Sequence, residues 1–186
     1  MNRTATVLRT ARSSSLGFTL VELCVSVSIG ATLLSQAVPS LSRMRQEHAL
    51  RATSEALASD LRFARSEAVR MGEPVYFRIS GKGAQACYVL HTGARNDCDC
   101  AGGKAVCKAP GSNVVKAEWL PAGKPMSLSS NAETLAFQHR QGLVTQTGSI
   151  ELSLKGGAGI RQVIAITGRV RSCSTGVKLS GMTKCA

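Results

Sequence analysis

The residues with the clearest chemical potential lie at the two ends of this sequence. No acidic residue follows Glu151, whereas Lys155, Arg161, Arg169, Arg171, Lys178 and Lys184 supply six positive charges. A run of that kind can neutralise phosphates through charge-assisted, partly bidentate hydrogen bonds. Arg169 and Arg171 flank Val170 in Gly168-Arg169-Val170-Arg171-Ser172-Cys173. If that piece is extended, alternation puts both guanidinium groups on one face about 7 Å apart. Gly168 allows a tight turn or a close backbone approach. Cys173 and Cys185 could then close a 13-residue loop, worth about 3 kcal/mol in the chain-entropy account, and fix the basic display. The plainer alternative is a solvated, disulfide-tied terminus that holds no ligand.

At the other end, Glu22 is the only charge in the 24 residues from Phe18 to Leu41. About 20 apolar residues cross a bilayer core, so the run reads as one membrane-spanning helix. A carboxylate in hydrocarbon costs a few kcal/mol and normally marks a function. One partner for it in a helix assembly is a freed N-terminal ammonium on a neighbouring copy's Phe18. Arg3, Arg9 and Arg12 precede the run and no acid accompanies them. This bias predicts a cytoplasmic N-terminus and an exported C-terminal part. A secretory signal would place a small-residue cleavage site after a shorter apolar region, whereas here the candidate cleavage residue, Gly17, comes before a longer one.

Cys24 lies in the apolar run, which leaves Cys87, Cys98, Cys100, Cys107, Cys173 and Cys185 downstream. An even number beyond a membrane segment predicts up to three disulfides in an oxidising compartment. Four of the cysteines cluster, allowing three connectivities among Cys87, Cys98, Cys100 and Cys107. Cys98-Asp99-Cys100, with Cys107 and His91, fits zinc poorly because the C-x-C spacing is not a familiar ligand spacing, so no metal or other cofactor is expected. His48, His91 and His139 accompany no nucleophile motif and read as surface residues, and no enzyme is indicated. The net charge of +12 falls to about +9 without residues 1–17, an excess that favours polyanions such as nucleic acid or anionic lipid.

Several elements must position these groups. Leu50, Thr53, Leu57, Leu61, Ala64, Ala68 and Met71 recur at helical spacing, and the charges between Arg43 and Arg70 read as a solvated helix face. Gly72 and Pro74 end the helix. Strand signals follow at Val75–Ile79 and Ala86–Leu90, a hairpin across Ser80-Gly81-Lys82-Gly83, and then at Val114–Trp119, Thr134–Phe137, Ser149–Leu154 and Ile160–Ile166. Lys155–Gly159 is a glycine-rich turn, and Trp119 and Phe137 read as core residues. The fold class is α+β, with antiparallel sheet packed on the second half of a long N-terminal helix. The expected segments are a leader over 1–17, a membrane and assembly helix over 18–41, a stalk helix over 42–72 and a β-rich head over 73–186.

Gly17-Phe18-Thr19-Leu20-Val21-Glu22 resembles the prepilin peptidase site of type IV pilins and type II secretion pseudopilins. That resemblance implies a pilin-like fold, cleavage after Gly17, N-methylation of Phe18 and a role in filament assembly for Glu22. Pro39 falls where pilins carry a helix-kinking proline. Ala58-Ser59-Asp60-Leu61-Arg62-Phe63-Ala64-Arg65-Ser66-Glu67-Ala68 is similar to the "sDLrxARsEAi" helix end of FimT/GspH-like minor pilins, and Gly168–Cys173 to their "GRxRxC" ending. Many such endings have a proline soon after the cysteine, where this one has Ser174-Thr175-Gly176. By position the resemblance makes Arg169 and Arg171 phosphate ligands for double-stranded DNA, with Lys178 and Lys184 beside them, in DNA uptake for natural transformation. Its other implied partners are pilin and minor pilin subunits, the prepilin peptidase and the inner membrane. The head would be periplasmic before assembly and in the filament afterwards. The alternative is a GspH-like pseudopilin, or a structural minor pilin that does not touch DNA.

Overall fold

Helix α1 spans Leu20–Met71 in the computed structural model, which describes residues 17–81, 83, 85–123 and 125–185. Of the expected leader only Gly17 is among them; its arginines lie outside the described residues, as does Lys82 of the expected first turn. The chain divides into two units, Met1–Ser42 and Arg43–Ala186. In the first unit the Thr19 hydroxyl caps the helix by accepting the Glu22 backbone N–H at 3.2 Å. Thr19 and Glu22 have the spacing of a capping box, and this bond is its first half. Leu20, Val21, Leu23, Val25, Val27 and Ile29 are all exposed. The hydroxyls of Ser26, Ser28, Thr32 and Ser35 donate to carbonyls about one turn earlier, so they are satisfied inside the helix as a hydrocarbon setting requires. The helix continues through Pro39, and its apolar part is long enough to cross a membrane.

In the second unit α1 buries Leu50, Ser54, Leu57, Leu61, Ala64 and Ala68, a stripe at three- and four-residue spacing. Met71, at the frayed end, is exposed, and Ser54 takes the inward place expected of its neighbour Thr53. Among the described residues ten strands follow: β1 Val75–Ser80, β2 Cys87–Thr92, β3 Cys98–Asp99, β4 Val106–Cys107, β5 Asn113–Trp119, β6 Met126–Ser130, β7 Thr134–Phe137, β8 Gly148–Leu154, β9 Ala158–Ile164 and β10 Val170–Gly176. They form two four-stranded sheets, ordered β5-β2-β1-β7 and β10-β9-β8-β6, and a small pair β3-β4. Every pairing between these strands is antiparallel. The core draws on α1 and both larger sheets, with Phe77, Leu90, Phe137, Ile150, Leu152 and Ile160 among its buried side chains.

Strand β2 is buried along its whole length because it has a core on each face. Tyr88 and Leu90 join the main core, while the alternate residues Cys87 and Val89 join a second cluster with Cys98 and Cys100. Disulfides Cys87–Cys100 and Cys98–Cys107 hold the β3-β4 pair against that face. Trp119 is 42 % exposed rather than a core residue. It ends the edge strand β5 and donates its indole N–H to the Cys100 carbonyl at 3.1 Å.

Two acids expected on the solvated helix face are instead buried, Asp60 and Glu67. Both have partners that remove the cost of burial. Asp60 accepts from the Tyr88 hydroxyl and the Lys116 ammonium, each at 2.7 Å, which ties α1 to β2 and β5. Burial, and then the bond to Asp60, push the Tyr88 hydroxyl pKa well above its ordinary range. Glu67 is held by Arg70 one turn on. On the other sheet Gln162 donates to the Ser54 carbonyl and hydroxyl and accepts from the Ser172 hydroxyl, joining α1 to β9 and β10. His91, expected at the surface, is fully buried on β2 and stacks on Tyr76 at 5.3 Å. Burial holds its imidazole below the ordinary histidine range.

Two predictions follow from these buried groups, both read from the emission of the single tryptophan, Trp119, during urea unfolding of the full chain in nonionic detergent. Asp60→Asn weakens the bonds to Tyr88 and Lys116 and is expected to cost about 1–3 kcal/mol. A loss below a few tenths would contradict that role. For His91 the folded pKa is depressed, so its contribution is present above the unfolded value of about 6.5 and is lost as pH falls below it. The urea midpoint should therefore drop between pH 7 and 5, and His91→Phe should flatten that drop.

Candidate functional site

Within the C-terminal basic run, which starts at Lys155 between β8 and β9, Arg169 and Arg171 lie at the β9–β10 hairpin. Its turn is closed by Gly168 N–H donating to the Ala165 carbonyl at 2.8 Å and Ala165 N–H donating to the Arg169 carbonyl at 3.0 Å. Gly168 has φ +74°, and a Cβ there would stand 2.5 Å from the Gly142 carbonyl oxygen. This position thus requires glycine for both conformation and space. Arg169 precedes β10 and Arg171 is its second residue; both are exposed, while Val170 between them is half-buried against the core. Arg171 lies across from the exposed Val163 of β9.

Beside the hairpin, Arg169 shares an open groove of about 660 Å³ with Arg62, Arg65 and Ser66 of α1 and Gln141 of the loop after β7. No lining residue is acidic. The Arg65 side chain runs past Gly142 and Gly168: a Cβ on Gly142 would meet its Nε at 2.6 Å, and one on Gly168 its Cδ at 3.0 Å. The loop and hairpin that carry these glycines are joined by Val144 N–H donating to the Ile166 carbonyl at 2.9 Å. Among the described residues, Arg62, Arg65, Arg169 and Arg171 make no ion pair. Like charges gathered without a counter-charge favour an anion, which gains bidentate hydrogen bonds from them.

Other parts of the basic ending are placed differently. Arg161 is not free to bind, because it reaches across the sheet to Glu151 at 2.8 Å. Lys178 follows the far end of β10, about 17 Å along the strand from Arg171, and is exposed. Lys184 is exposed and bridges back to Ser174. The structure therefore brings Arg169 to Arg62 and Arg65 but does not bring Lys178 to them. Arg62 and Arg65 escaped the sequence reading as site residues. Their three-residue spacing was visible, but the turn that meets them is about a hundred residues away in the chain.

Cys173 and Cys185 do form a disulfide, and the loop between them is fastened. Leu179 is buried in the core, and Arg51 of α1 donates to the Ser180 carbonyl at 2.5 Å. The cluster Asp97, Cys98 and Cys107 has the density of a metal site, but both sulfurs are bonded to each other and are not thiolate ligands. At the N-terminal end Gly17, Phe18 and Glu22 are exposed.

A model of the family described as type II transport protein GspH matches residues 53–168. That stretch includes Arg62, Arg65 and Gly168 and stops before Arg169. Two crystal forms of the type IV minor pilin FimU of Pseudomonas aeruginosa are similar in structure. One is 17 % identical with a TM-score of 0.49, over 66 % of this chain and 86 % of that one. The other is 18 % identical with a TM-score of 0.48, over 66 % and 91 %. No curated protein matches the chain.

Because Leu179 and Arg51 anchor the loop independently, Cys173→Ser/Cys185→Ser is expected to fold and to lose about 3 kcal/mol, measured as a shift in urea midpoint. An unchanged midpoint would show that the disulfide adds nothing to those two anchors.

Proposed function

The chain belongs to the family of the type II transport protein GspH, and from that premise we propose that it is a minor pilin-type subunit that holds DNA by its phosphates. The observation that carries this reading is the pair of exposed arginines, Arg169 and Arg171, at the tip of the β9–β10 hairpin with no acidic partner. Guanidinium groups held on rigid backbone recognise phosphate oxygens without reading base sequence. Lys184, about 10 Å along β10 from Arg171, and the more distant Lys178 add to the field as weaker contacts.

Assembly rests on the other end of the chain. In this reading the prepilin peptidase cuts after Gly17 and the new N-terminus on Phe18 is methylated. Glu22 then pairs with the Phe18 ammonium of a neighbouring subunit. Before assembly the apolar part of α1 anchors the subunit in the inner membrane with its disulfide-bonded head in the periplasm; afterwards it joins the filament. Pro39, which cannot donate to the preceding turn, marks where the helix can yield when packed. The family description itself favours a second reading, a pseudopilin of a type II secretion machine that assembles the same way and leaves DNA alone.

Fluorescence anisotropy of a labelled 12-base-pair duplex, titrated with the full chain in nonionic detergent, separates the two. The DNA reading expects binding that weakens steeply with salt, and at least a tenfold loss at matched salt in Arg169→Gln/Arg171→Gln. No binding at low salt favours the pseudopilin reading, and full affinity in the double variant removes the site assignment.

A further inference from the structure

We infer that the groove between α1 and the β9–β10 turn is a seat for a backbone phosphate, with Arg65 and Arg62 of the helix as ligands alongside Arg169. This inference rests on the DNA-binding reading and extends it from the hairpin to the helix. Arg65 is the centre of the seat. Its side chain has space only because residues 142 and 168 are glycines, both in the left-handed region at φ +62° and +74°. Two such residues from separate turns flank the stem of one arginine and leave its exposed guanidinium at the groove. Confining the stem lowers the part of the ordering cost that falls on binding. Gly168 of the Gly-Arg-Val-Arg segment therefore serves the helix arginine as well as its own turn.

The chemistry of the walls fits a phosphodiester. Three guanidinium groups and the Gln141 amide line a groove with no carboxylate, while the Ser66 hydroxyl at its edge donates to the Phe63 carbonyl. About 660 Å³ is room for a phosphate with its sugar. Arg171 lies outside this lining, on the exposed face opposite Val163, where it can meet the next phosphate of the same strand. A helix and a hairpin holding successive phosphates bind any sequence in one register.

The same anisotropy titration tests this in the full chain, with inorganic pyrophosphate as a second probe. Arg62→Gln/Arg65→Gln is expected to weaken duplex binding at least tenfold and to reduce the salt slope by about 2. Lys104→Gln/Lys108→Gln removes the same charge from exposed positions remote in sequence and should change affinity less than threefold. Gly142→Val, which keeps every charge but blocks the path of Arg65, should also weaken binding; Trp119 emission reports whether it is folded. If Arg62→Gln/Arg65→Gln merely matches the lysine control, the groove is not a ligand site, while the DNA reading stands on the hairpin alone. If the wild-type chain ignores duplex but binds pyrophosphate in an Arg65-dependent way, the phosphate seat holds and its nucleic-acid source is wrong. If it binds neither, both inferences fall.

Discussion

The second unit depends on one helical stripe that must be both apolar and polar. Leu50, Leu57, Leu61, Ala64 and Ala68 put aliphatic surface into the core, where area removed from water is the main stabilising term. Between them Ser54 and Asp60 each reach a different sheet, Ser54 through Gln162 and Asp60 through Tyr88 and Lys116. The apolar stripe already resists rotation of the helix about its axis, since turning it would expose Leu50, Leu57 and Leu61. The two buried polar ties fix that rotation, because turning the helix would leave each of them unpaired at a cost of several kcal/mol in total.

Fixing the rotation decides what the opposite face presents. With Leu61 and Ala64 inward, Arg62 and Arg65 point to the edge where the β9–β10 turn arrives, and Gly142 and Gly168 clear the path of Arg65. The basic groove is thus a consequence of core packing. The acids that could neutralise it are engaged elsewhere: Asp60 with Lys116, Glu67 with Arg70 and Glu151 with Arg161. These pairs leave the arginines beside the hairpin uncompensated.

Much of the fold was legible because its signals are local. Strand signals marked β1, β7 and β8 within a residue or so, with clean alternation in β8, and Gly72 marked the helix end. Strands β6 and β10 are rich in serine and short of β-branched runs, and only their neighbours in the sheet make them strands. The even cysteine count pointed to three disulfides, yet the pairing of Cys87 with Cys100 and Cys98 with Cys107 depends on β2 having a second buried face, which no local pattern shows. Asp60, Glu67 and His91 were misplaced for one common reason: burial of a polar side chain is set by partners distant in sequence. Arg169 and Arg171 stood out in an acid-free ending, whereas the merging of Arg65 with them needed the whole tertiary structure.

If the groove is a phosphate seat, helix and hairpin arginines act together on one phosphate strand. The most direct measurement is two-dimensional NMR of the arginine Nε–Hε groups in the full chain, in nonionic detergent, as a 12-base-pair duplex is added. Arg62, Arg65, Arg169 and Arg171 should shift together with one saturation curve, while the carboxylate-paired Arg70 and Arg161 stay in place. Shifts confined to Arg169 and Arg171, or spread over arginines away from the groove, would mean that the helix arginines do not hold phosphate.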